Sequence, residues 1–215
     1  MKSVLYVFLL TSVFNAAVAS DLTKEENIYE GEIELKSNES KQGKFSINYD
    51  SEVVTFFNND GTVDAYSAYQ ISSIFFYDDF ISQPRVFVSM QISPENRKGG
   101  NYLYELVKVG TMDILRRPEK NLNTNKIATL PLGPRVHQFD KKFEYYIFYK
   151  GDLIPMKNFM SSVFPILNKE MDADLNNYAK RRNLNLNDKL QPLILIEYFN
   201  AVSKNSLKFA KASVE

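Results

Sequence analysis

His137 is the single histidine of the chain, and Arg135 and Asp140 stand close to it in sequence. An imidazole oriented by a carboxylate can take and return a proton. This segment is therefore the first candidate for acid–base chemistry. One histidine without cysteine does not make a zinc site, although carboxylates can complete one. A solvated loop histidine is the plainer reading of His137, and the one adopted. The other carboxylate pairs are Asp78-Asp79 and Asp172 with Asp174. Two carboxylates divide acid and base roles when their surroundings separate their pKa values. Neighbours at a strand end point to opposite sides, and helical residues two apart do not face each other. All four are therefore expected to be solvated charges, with Asp78-Asp79 opening a turn. Neither spacing matches a calcium loop. Gly99-Gly100 lacks the spaced glycines and the lysine of a phosphate-binding loop, and no G-x-S-x-G is present. No cofactor is expected.

The aromatic run Tyr145, Tyr146, Phe148 and Tyr149 has more functional reach. Successive strand residues face opposite ways, so the four cannot share one side. One parity can present an aromatic face to a sugar or a protein partner. The alternative is that C-terminal helices cover one parity and a barrel covers the other, and this is favoured. Arg135 and His137 join these four as candidate interaction residues.

Elements that would position these residues follow from periodicity. Residues 29–36 alternate apolar or small positions with Glu30, Glu32, Glu34 and Lys36, which is the signature of a half-buried strand. Further strands are expected over 43–49, 53–57, 63–66 and 71–77, with Asn59-Asp60-Gly61 as a hairpin turn. Five short strands with tight turns predict a small barrel over 29–77 or a curled sheet. Val86, Val88, Met90 and Ile92 alternate again, 102–109 and 112–115 form a hairpin, and 143–149 and 153–154 follow. Between them, 118–142 is a long loop carrying three prolines. From Met156 the period becomes helical, with Met156, Phe159, Met160, Val163 and Phe164 on one face. Pro165 ends or kinks that helix. A second helix is expected over 167–182, and a third is capped by Asn187 with Pro192 in its first turn. Met156, Met160 and Met171 fall in step with core positions. The fold class is α+β: a mainly antiparallel β region over 21–155, with a small barrel or curled sheet over 29–77 and added strands over 85–155, then a bundle of about three helices over 156–204. A tail, 205–215, closes the chain.

Composition limits function further. Lys2, the apolar run 4–14 and Ala17-Val18-Ala19 predict a secretory signal peptide over 1–20. A membrane-spanning helix needs about 20 apolar residues, and this run is shorter; no direct span is expected after cleavage. Basic and acidic residues balance at 26 each, which leaves no electrostatic field for nucleic acid. The chain has no cysteine, so disulfides, thiolate ligands and a lipid-modified cysteine are all excluded.

Several segments together carry a likeness: Gly31-x-Ile33-x-Leu35, Gly43-x-Phe45-x-Ile47-x-Tyr49-Asp50, Tyr66-Ser67-Ala68, Ile74-Phe75-Phe76, the run from Tyr104 to Arg117, Tyr145-Tyr146-Ile147 before Lys150-Gly151-Asp152, and Glu197-Tyr198-Phe199-Asn200. They resemble exported, uncharacterised proteins of Bacteroidetes bacteria, and the first five strands are similar to an SH3- or Sm-like small barrel. The resemblance implies a periplasmic or outer-envelope place and brings no catalytic residues. Three functions are weighed. The first is a non-catalytic protein that binds another envelope component. The second is a binder of a small ligand, sugar or lipid, between sheet and helices. The third, and least favoured, is a hydrolase using Asp and His137.

Overall fold

The computed structural model describes residues 27–79, 81–91, 100–119, 142–171 and 174–203. Among these residues ten strands form one sheet: β1 Ile28–Leu35, β2 Ser40–Asn48, β3 Val53–Phe57, β4 Val63–Ser67, β5 Ile71–Asp78, β6 Gln83–Gln91, β7 Asn101–Lys108, β8 Asp113–Pro118, β9 Phe143–Tyr149 and β10 Asp152–Pro155. Their spatial order is β10-β9-β8-β7-β6-β5-β1-β2-β3-β4. Every neighbouring pair is antiparallel. The sheet is not closed: β4 and β10 are its two ends.

The sheet nevertheless curls. Glu52, in the β2–β3 turn, accepts the Leu103 N–H at 2.8 Å and pairs with Arg117. Ser89 donates from its hydroxyl to the Ala68 carbonyl, and the Ala68 N–H donates to the Glu52 carbonyl at 2.7 Å. These bonds bring the turns of β2–β3 and β4–β5 against β6, β7 and β8. Inside the curl lie Ile33, Phe45, Val54, Phe56, Ile74, Phe76, Phe87 and Leu103, all buried.

The same inner face continues across β8 and β9, where Ile114, Phe143, Tyr145, Ile147 and Tyr149 meet the helices. After a 3₁₀ turn at Met156–Asn158 the chain makes a π-helical turn, Phe159–Val163, and then α1, Phe164–Met171. Pro165 lies at this change of period. It has no N–H to continue a regular ladder, and one widened turn accommodates that. α2 spans Asp174–Arg181 and α3 spans Gln191–Val202. Asp188, not the expected Asn187, supplies the start of α3: its Oδ1 accepts the N–H groups of Leu190 at 2.8 Å and Gln191 at 3.1 Å. Val163, Leu167, Leu175, Leu193, Leu195 and Ile196 are the buried face of the helical layer.

The far end of α3 is fixed by Asn200. Its amide accepts the Met112 N–H at 2.9 Å and donates to the Met112 carbonyl at 2.7 Å, as a strand neighbour would. A Cβ on Gly110 would lie 2.3 Å from that amide, so a larger residue in the turn beneath it would displace the Asn200 side chain. Asn200→Ala is expected to cost about 1–3 kcal/mol, because it strands both backbone groups of Met112, just before β8. Urea unfolding of the variant measures this; a loss below 0.5 kcal/mol, the usual size of surface effects, would contradict it.

Candidate functional site

Strand pairing assigns every side chain to a face. Phe76, Asp78, Arg85, Phe87, Glu105, Arg116 and Tyr145 share the inner one, through the cross-strand partners Phe76↔Arg85, Phe87↔Glu105, Glu105↔Arg116 and Arg116↔Tyr145. Four of these are ionisable and buried in a row between the two apolar clusters. Glu105 is forked twice. Arg85 donates Nε to its Oε1 at 3.1 Å and Nη2 to its Oε2 at 2.9 Å, while Arg116 donates Nε to Oε2 and Nη2 to Oε1, both at 2.8 Å. Arg85 also reaches Asp78 Oδ2 through Nη1 at 3.1 Å. Aromatic faces cover the guanidiniums: Phe87 lies 5.1 Å from Arg85 and Phe143 4.2 Å from Arg116. Asp78 opens the turn as expected, accepting the Ile81 N–H at 3.4 Å, but it is a buried ion-pair partner and not a solvated charge.

Two cations and two anions cancel. Burial works to raise the Glu105 carboxyl, but the Arg116 and Arg85 guanidiniums outweigh it and hold it at about 2. A carboxylate fixed in its charged form, with both oxygens taken up by arginine, has no proton to exchange near neutrality. This row fastens one core to the other and performs no acid–base work.

The outer face differs from strand to strand. On β1 it carries Glu30, Glu32 and Glu34; from β5 to β9 it is largely apolar, interrupted by Ser73, Asp113, Arg117 and Glu144. Cross-strand partners run Phe75↔Val86, Tyr77↔Pro84, Ser73↔Val88↔Tyr104, Met90↔Tyr102 and Leu106↔Leu115↔Tyr146. Val86, Val88 and Met90, the alternating set of β6, therefore point outward, and Arg85 and Phe87 take the inner side. Tyr146 stands edge-on to Tyr104, with ring centroids 5.0 Å apart, and donates its hydroxyl proton to Glu144 at 2.8 Å. Arg117 lies 4.8 Å from the Tyr102 ring. Tyr104, Leu115 and Tyr146 are buried, whereas Phe75 is 49% exposed, Tyr77 52% and Ile28 60%. Ile28, Tyr77, Phe75 and Pro84 form an accessible apolar patch on neighbouring strands, bordered by the β1 glutamates.

The candidates from sequence separate accordingly. Tyr145 and Tyr149 face the helices, and the Tyr149 hydroxyl donates to Glu170 at 3.1 Å. Tyr146 and Phe148 are on the outer face, so the four do divide by parity. No barrel closes over that face, because the sheet is open. Arg135, His137, Asp140, Asp172 and Gly99, together with residues 1–20, most of 118–142 and 205–215, lie outside the described residues. Neither a family model, nor a curated protein, nor a solved structure matches this chain. Among the described residues no group of three or more metal-ligating side chains occurs, and no helix is long and apolar enough to cross a membrane.

Among the described residues, Asp113 is a carboxylate of the outer face for which burial dominates. It lines a depression of about 10 Å³ with Val88, Met90, Leu106, Leu115 and Phe148, room for one water. Its Oδ1 accepts the Gly110 N–H at 2.8 Å. Burial pushes the carboxyl up to about 6, and the Gly110 bond offsets only part of that. A raised carboxyl favours the protonated folded state, so its contribution to stability is complete below the unfolded value near 4 and is lost as pH rises through 6. Asp113→Asn keeps the acceptor and removes the charge. With allowance for solvent screening it is expected to stabilise by about 1–2 kcal/mol at pH 8 and by nothing at pH 4. Urea midpoints at the two pH values read this directly, and equal gains at both would contradict it.

Proposed function

We propose that this chain is an exported, non-catalytic protein that acts by binding another component of the cell envelope through the outer face of β5 and β6. The patch of Ile28, Phe75, Tyr77 and Pro84 carries this reading, because it places exposed aromatic and aliphatic groups together on a rigid sheet. Such a patch is a recognised feature of interaction sites, and tyrosine is favoured in them. The leader-like residues 1–20 support export, and the resemblance to exported Bacteroidetes proteins supports a periplasmic or outer-envelope place. The ionisable row on the inner face supports a scaffold, since its charges are mutually consumed.

Small-ligand binding is the second reading. Sugar and lipid sites enclose some 300 Å³ or more, and the depression beside Asp113 holds about 10 Å³. The apolar interface between helices and sheet is packed with buried side chains. The envelope-binding reading is therefore preferred.

The test is capture from envelope extract by the chain without residues 1–20, against a Phe75→Thr/Tyr77→Thr variant. Threonine keeps strand propensity, and exposed positions are expected to shift stability by under about 0.5 kcal/mol. The parent should retain an envelope component that the variant loses at least about tenfold, the effect of removing two central aromatics. Equal capture by both, or by neither, would overturn the assignment.

A further inference from the structure

β7 and β8 separate at one end. Their ladder runs from Lys108↔Ile114 to Glu105↔Arg116 and stops there, although β7 reaches back to Asn101 and β8 on to Pro118. β8 stays with β9 as far as Pro118↔Phe143, and β7 stays with β6 as far as Asn101↔Gln91. The sheet is therefore split between 101–104 and 117–118. Continuing the register would set Leu103 opposite Pro118, which has no N–H to give. The Glu52 carboxylate enters the split instead. Its Oε2 accepts the Leu103 N–H at 2.8 Å, and its Oε1 accepts Arg117 Nη2. Glu52 makes this reach with φ at +56°, a left-handed backbone unfavourable for a residue with a Cβ.

Two further polar groups line the split unused. Arg117 Nη1 and the Tyr104 hydroxyl are buried, and among the described residues neither has a hydrogen-bond partner. The Arg117 guanidinium lies 4.8 Å from the Tyr102 ring and 5.4 Å from the Tyr104 ring. Burial raises the Tyr104 phenol, and the nearby guanidinium offsets part of that without the alignment of a hydrogen bond. We propose that the split between β7 and β8 is a carboxylate-binding site that Glu52 fills from within, a built-in competitor that an incoming carboxylate displaces by swinging the Glu52 side chain aside. A planar guanidinium presents paired donors matched to a carboxylate, and the Leu103 N–H and the Tyr104 hydroxyl add two more. A strut between two strands would need only the bonds it makes. Here buried donors stand beyond those bonds, and a buried donor without a partner is unfavourable until an acceptor reaches it. The left-handed backbone of Glu52 weakens the occupant further. Phe75 and Tyr77 take no part, so this site stands or falls apart from the envelope-binding patch.

Chemical rescue tests this in the full chain. Glu52→Gly relaxes the left-handed turn and empties the slot. Formate has three heavy atoms, which limits its affinity to about millimolar. At about 100 mM, against sodium chloride of equal ionic strength, formate should lower the unfolding constant of Glu52→Gly at least about tenfold. The parent should change by less than about twofold, because Glu52 competes at high effective concentration. Arg117→Met in the Glu52→Gly background should abolish the gain, and Tyr104→Phe there should weaken it several-fold. In the parent, Tyr104→Phe should leave stability unchanged, since the hydroxyl it removes has no partner. If Glu52→Gly is unfolded in chloride, formate must restore the fold. Acetate and N-acetyl-dialanine then separate the sources: a gain with both assigns a site open to a chain end, and a gain with acetate alone assigns a small free acid. No gain for Glu52→Gly, an equal gain for the parent, or a gain that survives Arg117→Met would overturn the site. Stabilisation by phosphate but not by formate would do so as well, since it assigns a different oxyanion.

Discussion

Glu105→Gln is expected to destabilise the protein by about 3–5 kcal/mol, enough to lower an ordinary domain's stability by a third or more. The amide keeps the volume but removes the charge that four guanidinium bonds converge on. Arg85 and Arg116 would then face each other on the inner side with only Asp78 to balance them. The cost arises from charges left uncompensated, which separates it from a loss of packing. Removing both sides shows this: Arg116→Met made in a Glu105→Leu background should cost far less than Arg116→Met alone, because a buried pair replaced by apolar groups is near neutral. The same row predicts acid sensitivity. With its carboxyl held at about 2, Glu105 contributes stability above the unfolded value near 4.5 and loses it as pH falls through 2. Denaturant melts at pH 7 and pH 3 measure both effects. A Glu105→Gln variant within 1 kcal/mol of the parent at pH 7 would end the argument.

That row shows where the sequence was legible and where it was not. Strand positions are readable: 53–57 and 143–149 match β3 and β9 to the residue, since apolar alternation and turn residues are local signals. Which parity faces inward is a tertiary matter. On β1 the glutamates give it away. On β6 the apolar parity Val86, Val88, Met90 lies outward, and Arg85 goes inside because Glu105 and Asp78 are there to meet it. These partners are 7 and 20 residues away in the chain, and periodicity within one strand carries no information about them. β8 fails for the same reason: an expected strand over 112–115 continues through Arg116 and Arg117, whose charges look like solvent until Glu105 and Glu52 are placed. The division of Tyr145 and Tyr149 from Tyr146 and Phe148 was readable as a division, though not which pair meets the helices. The exposed patch was missed because Phe75 and Tyr77 sit in an otherwise ordinary apolar strand, and their exposure depends on what does not cover them.

Gly31→Ala is expected to cost about 3 kcal/mol, the upper end for overpacking, because the obstacle is backbone. A Cβ at Gly31 would lie 2.2 Å from the Phe75 carbonyl oxygen and 2.6 Å from the Phe76 Cβ. Neither can rotate aside; β1 and β5 must separate. Two consequences follow on opposite faces. Inside, Phe76 stacks on Phe87 at 5.8 Å and meets Tyr29 at 4.3 Å and Phe45 at 5.7 Å, so a shift of β5 loosens the aromatic packing of the curl. Outside, Phe75 is the centre of the exposed patch, and Glu32 stands directly across from it. A half-buried glycine of β1 facing β5 thus sets the spacing of both the core and the proposed binding surface. The variant should melt lower and, at temperatures where it is still folded, also capture the proposed envelope component less well than a variant destabilised equally at Asn200. Melting curves and capture measured side by side distinguish the two: equal loss of capture in both variants would mean that only stability, and not the geometry of β1 against β5, is at stake.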